Sequence, residues 1–170
     1  MLGDVARTSG LQLLTELHAL ALLHAGEVDE ARAVLGPWPV QPEPPMDYMW
    51  LTSVAVRGEL WAALAPPELA RQLGEQVAPY ADRIAFGGTG ISFAGCIAHY
   101  AGLLARAGGD LDSAVEHLQH AAQLAAANGF APFEVRSLTE LASLARSRPR
   151  VERTITPSGT PEATGATEGA

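Results

Sequence analysis

The chain has 170 residues and a net charge of −8, from 11 Lys and Arg against 19 Asp and Glu. That is enough for one domain burying roughly two thirds of its unfolded surface, and as a whole body it repels nucleic acid. The single cysteine, Cys96, excludes an internal disulfide and makes a reducing cytoplasm the default compartment.

In chain order, residues 1–9 read as a flexible N-terminus. Leu11 to Ala25 is apolar enough to suggest the core of a signal peptide. However, Glu16, His18 and His24 interrupt it, and only Arg7 precedes it, offset by Asp4. No stretch reaches the roughly 18 uninterrupted apolar residues of a membrane span. A first helix is predicted over 10–25, a turn at Gly26, and a short second helix over 28–35. On the first helix Leu11, Leu14, His18 and Leu22 form a stripe that Ala31 and Leu35 bury. A second stripe, Leu13, Leu17 and Leu20, lies on another face and is left uncovered, so it is expected to be a self-association edge. The prolines of Gly36-Pro-Trp-Pro and Pro42-Glu-Pro-Pro make a stiff extended connector.

The third helix is predicted over 46–64, stopped by Pro66-Pro67, and the fourth over 67–78, where Pro67 is tolerated in the first turn. Phe86-Gly-Gly-Thr-Gly90 reads as a glycine loop between hairpins. From Ile91 a fifth helix carries Phe93, Ile97, Tyr100, Ala101 and Leu104 at helical spacing, with Ser92 as its cap. Gly108-Gly109 reverses the chain. The sixth helix repeats Leu111, Ala114, Val115, Leu118, Ala121, Ala122 and Ala125 along four turns and closes at Asn128-Gly129. A seventh, over 132–147, puts Leu138, Leu141, Ala142 and Ala145 on one face. The folded domain therefore runs from 10 to 148. The segment 149–170, rich in Thr, Pro, Ser, Gly, Glu and Ala, has no means of forming a core and is expected to be disordered. The resulting class is all-α, without a sheet.

Gly102, Gly109, Ala114, Leu118 and Ala121 stand where the tetratricopeptide motif puts its small residue, its turn glycine and its small-large-small pattern. Gly102 and Ala114 are small because two helix backbones approach there, and Leu118 fills the groove. The motif's leading aromatic is replaced by Ala98. Gly26, Ala31 and Leu35 repeat the same spacing, and aligning Ala70 with Ala31 and Ala114 sets Gly58 opposite Gly102. Three antiparallel hairpins stacked as a short solenoid are the expected architecture. The hairpins lie farther apart than the usual period of about 34 residues.

Four local features are candidates for chemistry. The glycine loop precedes a helix and offers amides to an anion, but it lacks the lysine of a phosphate-binding loop. Gly90-Ile-Ser92-Phe-Ala94 partly matches a nucleophile elbow without the second glycine or the sheet an elbow requires. The pairs Cys96/His99 and His117/His120 sit one turn apart, short of the three or four ligands of a zinc site, so no metal or other cofactor is assigned. Arg146, Arg148, Arg150 and Arg153 suit the negative end of the last helix.

Pro79-Tyr-Ala-Asp-Arg83, the glycine loop, His99-Tyr-Ala-Gly-Leu-Leu-Ala105, Asp112-Ser-Ala-Val-Glu-His117 and Leu141-Ala-Ser-Leu-Ala145 together bear a likeness. Over roughly residues 10 to 147 the chain resembles the C-terminal helical-repeat region of large bacterial transcriptional regulators. These are the LuxR-type, MalT-like and cyclase-associated proteins, in which an ATPase domain precedes tetratricopeptide-like repeats. The resemblance implies a region that binds effectors or partner proteins. The chain has neither an ATPase motif nor a helix-turn-helix, so it reads as a detached or truncated repeat region with no catalysis and no direct contact with nucleic acid or membrane.

The leading expectation is a non-catalytic interaction module whose concave face holds a protein segment or small effector. The repeat alignment puts Glu16, Leu20, His24, Thr52, Glu59, Cys96, His99, Leu103 and Arg106 on that face. The alternative is a small hydrolase or anion-binding enzyme centred on Gly88 to His99, which requires Ser92 and His99 within hydrogen-bond reach.

Overall fold

The computed structural model describes residues 2–37, 49–87 and 92–147, with the backbone alone at 2–11 and 92. The connector, the tip of the glycine loop and the C-terminal segment expected to be disordered lie outside the described residues. Seven helices occupy the described chain: α1 Leu2–Ala25, α2 Val28–Leu35, α3 Trp50–Leu64, α4 Pro67–Val77, α5 Ile97–Ala107, α6 Leu111–Ala127 and α7 Ala131–Ser147. A 3-10 turn, Ala78–Tyr80, and two strands, β1 Ile84–Gly87 and β2 Ser92–Cys96, separate α4 from α5. Helix α1 starts at Leu2 rather than at residue 10, so the segment expected to be flexible is helical.

The expected helix boundaries hold where local chemistry dictates them. At Gly109, φ is +89°, a conformation that a Cβ makes costly, and Gly26 at +85° plays the same part between α1 and α2. Asp110 then caps α6, its carboxylate accepting the Ser113 backbone N–H at 3.0 Å and the Ser113 hydroxyl at 2.7 Å.

Neighbouring helices pack in a chain: α1 meets α2 and α3, α3 meets α4 and α5, α4 meets α5, α5 meets α6, and α6 meets α7. Helix α3 is enclosed on several sides, with Thr52 through Gly58 buried without a break. Val56, Leu60 and Leu64 pack on Ala19 and Ala31, while Val54 and Ala55 join Leu73, Val77, Ile97 and Leu104. The small residues mark the close crossings. A Cβ on Gly102 would lie 2.6 Å from Leu118 Cγ and 3.2 Å from the Ala114 carbonyl oxygen, and one on Gly58 would lie 2.9 Å from Tyr100 Cβ.

Three expectations are corrected. First, the chain is not free of sheet: β1 and β2 form an antiparallel pair, so Phe93 belongs to a strand and the fifth helix begins at Ile97 instead of Ile91. Ile84 pairs with Cys96, Ala85 with Gly95, Phe86 with Phe93 and Gly87 with Ser92, which leaves Ala94 unopposed as a bulge. The hairpin is held by rings: Phe93 stacks on Phe130, Phe133 and Phe86 at centroid distances of 4.5, 4.4 and 5.2 Å. Second, Ser92 opens β2 and does not cap the helix, since Cys96 holds that position without a side-chain cap.

Third, both terminal helices are rotated from their expected phase. On α1 Leu14 is 64% exposed and Leu17 42%, whereas Leu13, Ala19, Leu20 and Leu22 pack toward Leu60 and Leu64. The exposed edge is therefore Leu14 and Leu17, not Leu13, Leu17 and Leu20. On α7 Leu138 is exposed and the buried positions are Ser137 and Leu144.

Candidate functional site

Rotation of α1 and α7 turns polar side chains inward, where they meet others from α3 and α5 in a seam across four helices. The α3 end is a buried ion pair: Arg57 donates from Nε at 2.9 Å and Nη2 at 2.6 Å to Glu16 Oε1 of α1. Burial pushes the Glu16 carboxyl up from its ordinary value, against the opposing pull of Arg57 and Gln12. The Arg57 guanidinium also lies 5.8 Å from the Trp61 ring centroid. Such a pair is costly to desolvate and more costly to break.

Glu59 is the branch point. One carboxylate oxygen lies 2.7 Å from His24 Nε2 of α1, and the other accepts from Arg136 Nη2 of α7 at 2.5 Å. Burial acts to raise the Glu59 pKa, but Arg136 and then His24 outweigh it, so the carboxyl titrates below its ordinary range. Arg136 continues the chain by donating to the Tyr100 hydroxyl at 3.5 Å. Tyr100 in turn donates to the Ala94 carbonyl, the residue that the bulge frees from the ladder. Farther along α5, Arg106 pairs with Glu140 of α7.

His99 sits between these pairs, its Nδ1 3.0 Å from the Ser137 hydroxyl. The Ser137 hydroxyl also lies within donating distance of the Phe133 carbonyl, 3.1 Å away. Burial pulls the His99 pKa down to about 4, assisted by Arg136 and Arg106 against the opposing charge of Glu59. The imidazole is neutral at physiological pH. The buried His99–Ser137 hydrogen bond thus ties α7 to α5.

Of the nine residues assigned to a concave face, Glu16, Thr52, Cys96, His99 and Leu103 are buried between helices, and Leu20 is half-buried in the α1–α3 core. His24, Glu59 and Arg106 keep exposed surface, and the structure joins Arg136 and Glu140 to them. Burial also pushes the Cys96 thiol up. Among the described residues no three His, Cys, Asp or Glu side chains converge as metal ligands; His120 is paired instead with Asp82 at 2.7 Å.

The residues missed by sequence reasoning are Arg57, Tyr100, Arg136, Ser137 and Glu140. One signal was available. Arg57 and Glu59 are the only charged residues of α3, whose other positions are largely apolar, and a charge inside such a helix requires a partner.

Fold and seam together define a mainly helical protein, with a two-stranded hairpin, whose helices are cross-linked by internal ion pairs. Scans against protein-family models, curated proteins and solved structures found no match to this chain. Among the described residues no helix is long and apolar enough to cross a membrane.

Proposed function

We propose that the chain is a non-catalytic, cytoplasmic helical-repeat interaction module. On this reading its hairpins stack in the tetratricopeptide manner, and it serves as the effector- or partner-binding region of a bacterial transcriptional regulator. The observation that carries the reading is the partly exposed rim of the seam. There Glu59, at 17% side-chain exposure, and Arg136, at 35%, pair across helices distant in sequence, with Arg106 and Glu140 alongside. Partly solvated ion pairs cost little to exchange, so a ligand carrying both signs of charge can replace the internal partners one for one. The glycine turns and the close Gly102–Leu118 crossing support the repeat geometry. A polar or zwitterionic protein segment, or a small effector of that chemistry, is the expected ligand.

The test is a comparative capture from a bacterial lysate followed by affinity measurement with the purified ligand. Charge reversal at Glu59 and at Arg106 is expected to weaken binding at least about tenfold each, and reversal at the outward-facing Glu116 to leave it unchanged. Equal losses at all three positions would remove the inner face from consideration.

A further inference from the structure

A cleft of about 230 Å3 lies between α4, α5 and the first turn of α6. Its existence follows from small residues. Helix α4 touches the α5–α6 turn where a Cβ on Gly108 would be 3.1 Å from Arg71 Cβ, and it meets α5 where one on Gly74 would be 3.4 Å from Leu104 Cβ. Beside those two contacts the lining includes Gly74 of α4, Ala78 of the 3-10 turn, and Ala101 and Ala105 of α5, none with a side chain longer than a methyl group. The volume is below the range of about 300–1,000 Å3 usual for drug-sized ligands. It suits a single unbranched side chain.

The mouth sets the charge. Arg71 Nη1 and Glu75 pair at 2.5 Å and offset one another, which leaves the Asp110 carboxylate facing Ser113 and the His117 imidazole. The Ser113 backbone N–H and hydroxyl hold the Asp110 carboxyl below its ordinary range, so it stays charged. The chain's net charge of −8 adds a long-range preference for cations.

We propose that this cleft binds a primary alkylammonium group. Its stem of a few carbons rests on the glycine and alanine floor, and its ammonium donates hydrogen bonds at the mouth to Asp110. The source is either a lysine side chain of a protein partner or a free alkylamine, since both present the same chemistry. The site is separate from the seam, so it stands or falls independently of the function proposed above.

The test is an NMR titration of the full chain with n-butylammonium, n-butanol and butyrate, probes of equal length and different charge. Butylammonium is expected to give saturable shifts at the Gly74, Ala101 and Gly108 amides with millimolar affinity. Butanol should bind at least about tenfold more weakly, and butyrate not at all. Asp110→Asn keeps the helix cap but removes the charge, and Ala105→Leu fills the floor; each should weaken butylammonium at least about tenfold. Should Ala105→Leu fail to fold, Ala78→Leu blocks the same space. With the ammonium chemistry established, tighter binding of Nα-acetyl-lysine methylamide than of butylammonium assigns a partner's lysine, and the reverse order assigns a free amine. The proposal is overturned if shifts do not saturate, if butanol matches butylammonium, or if Asp110→Asn leaves the affinity unchanged.

Discussion

Identical substitutions should act with opposite sign at two glycines, because only one of them faces a neighbour it would strike. Gly102→Ala places a methyl 2.6 Å from Leu118 Cγ and 3.2 Å from a backbone oxygen that has no freedom to move. The helix-propensity gain of about 1 kcal/mol is then outweighed by an overpacking cost of roughly 1 to 3 kcal/mol, so urea denaturation should show a net loss. Gly74→Ala meets only an ordinary contact, 3.4 Å from Leu104 Cβ, and should be neutral or stabilising by up to about 1 kcal/mol. A gain in stability for Gly102→Ala would show that α5 and α6 are not in close approach there. At His99 the measurement is pH dependence. Its folded pKa of about 4 lies below the ordinary 6.5, so the unfolded chain binds more protons between those values. Stability is therefore complete above pH 6.5 and is lost as pH falls toward 4, by on the order of 3 kcal/mol. Glu16, whose pKa is raised, has the opposite sign and gains stability as pH falls toward its ordinary value of 4.5. A His99→Gln variant should lose most of the slope between pH 6.5 and 4.5, where Glu16 opposes it; an unchanged slope would assign acid sensitivity to other groups.

At the scale of the element, helices α2, α3, α4 and α6 and the end of α5 were legible within a few residues because they carry local signals: Gly26, Pro66-Pro67, Gly108-Gly109 and Asn128-Gly129. The phase of α1 and α7 was not legible. Hydrophobic periodicity assigns buried positions to leucines, but Glu16 and Ser137 occupy buried positions in these helices because partners on α3 and α5 receive them. Those partners are 41 and 38 residues away in the chain, beyond any pattern in a local window. The hairpin was hidden for another reason. Ser92 to Cys96 contributes one aromatic to a helical stripe, and its pairing depends on Phe130 and Phe133, which approach it only in the fold. Rephasing α1 changes the expected edge. Leu14→Glu with Leu17→Glu should yield a monomer that keeps its helical content, whereas the unmutated chain should self-associate through this face in light scattering. If the parent chain stays monomeric at high concentration, exposure of Leu14 and Leu17 has no such consequence.

Across the whole molecule one carboxylate of the seam links α1 and α7. Glu59 of α3 receives His24 from one end of the described chain and Arg136 from the other, so one carboxylate is shared by both terminal helices, beside the separate Glu16–Arg57, His99–Ser137 and Arg106–Glu140 ties. A stack held only by apolar contacts between neighbours would respond locally to a substitution. A helical fold cross-linked through Glu59 should respond at both ends. Glu59→Gln is therefore expected to speed amide exchange in the C-terminal half of α1 and the N-terminal half of α7, with the centre of α6 unchanged. Arg136→Gln should loosen α7 alone, because His24 keeps its partner. In a double-mutant cycle the Glu59–Arg136 coupling should be on the order of 1 kcal/mol, limited by the 35% exposure of the Arg136 side chain. The His24–Glu59 coupling should be smaller, since the His24 side chain is 58% exposed. Because the Glu59 pKa is lowered, its contribution is present above the ordinary pKa of 4.5 and disappears as pH falls through the depressed value. The Arg136 coupling should vanish with it in strong acid. Exchange confined to α7 in Glu59→Gln, or a coupling of zero at neutral pH, would mean that the terminal helices are held by their apolar neighbours and that the seam only fills space between them.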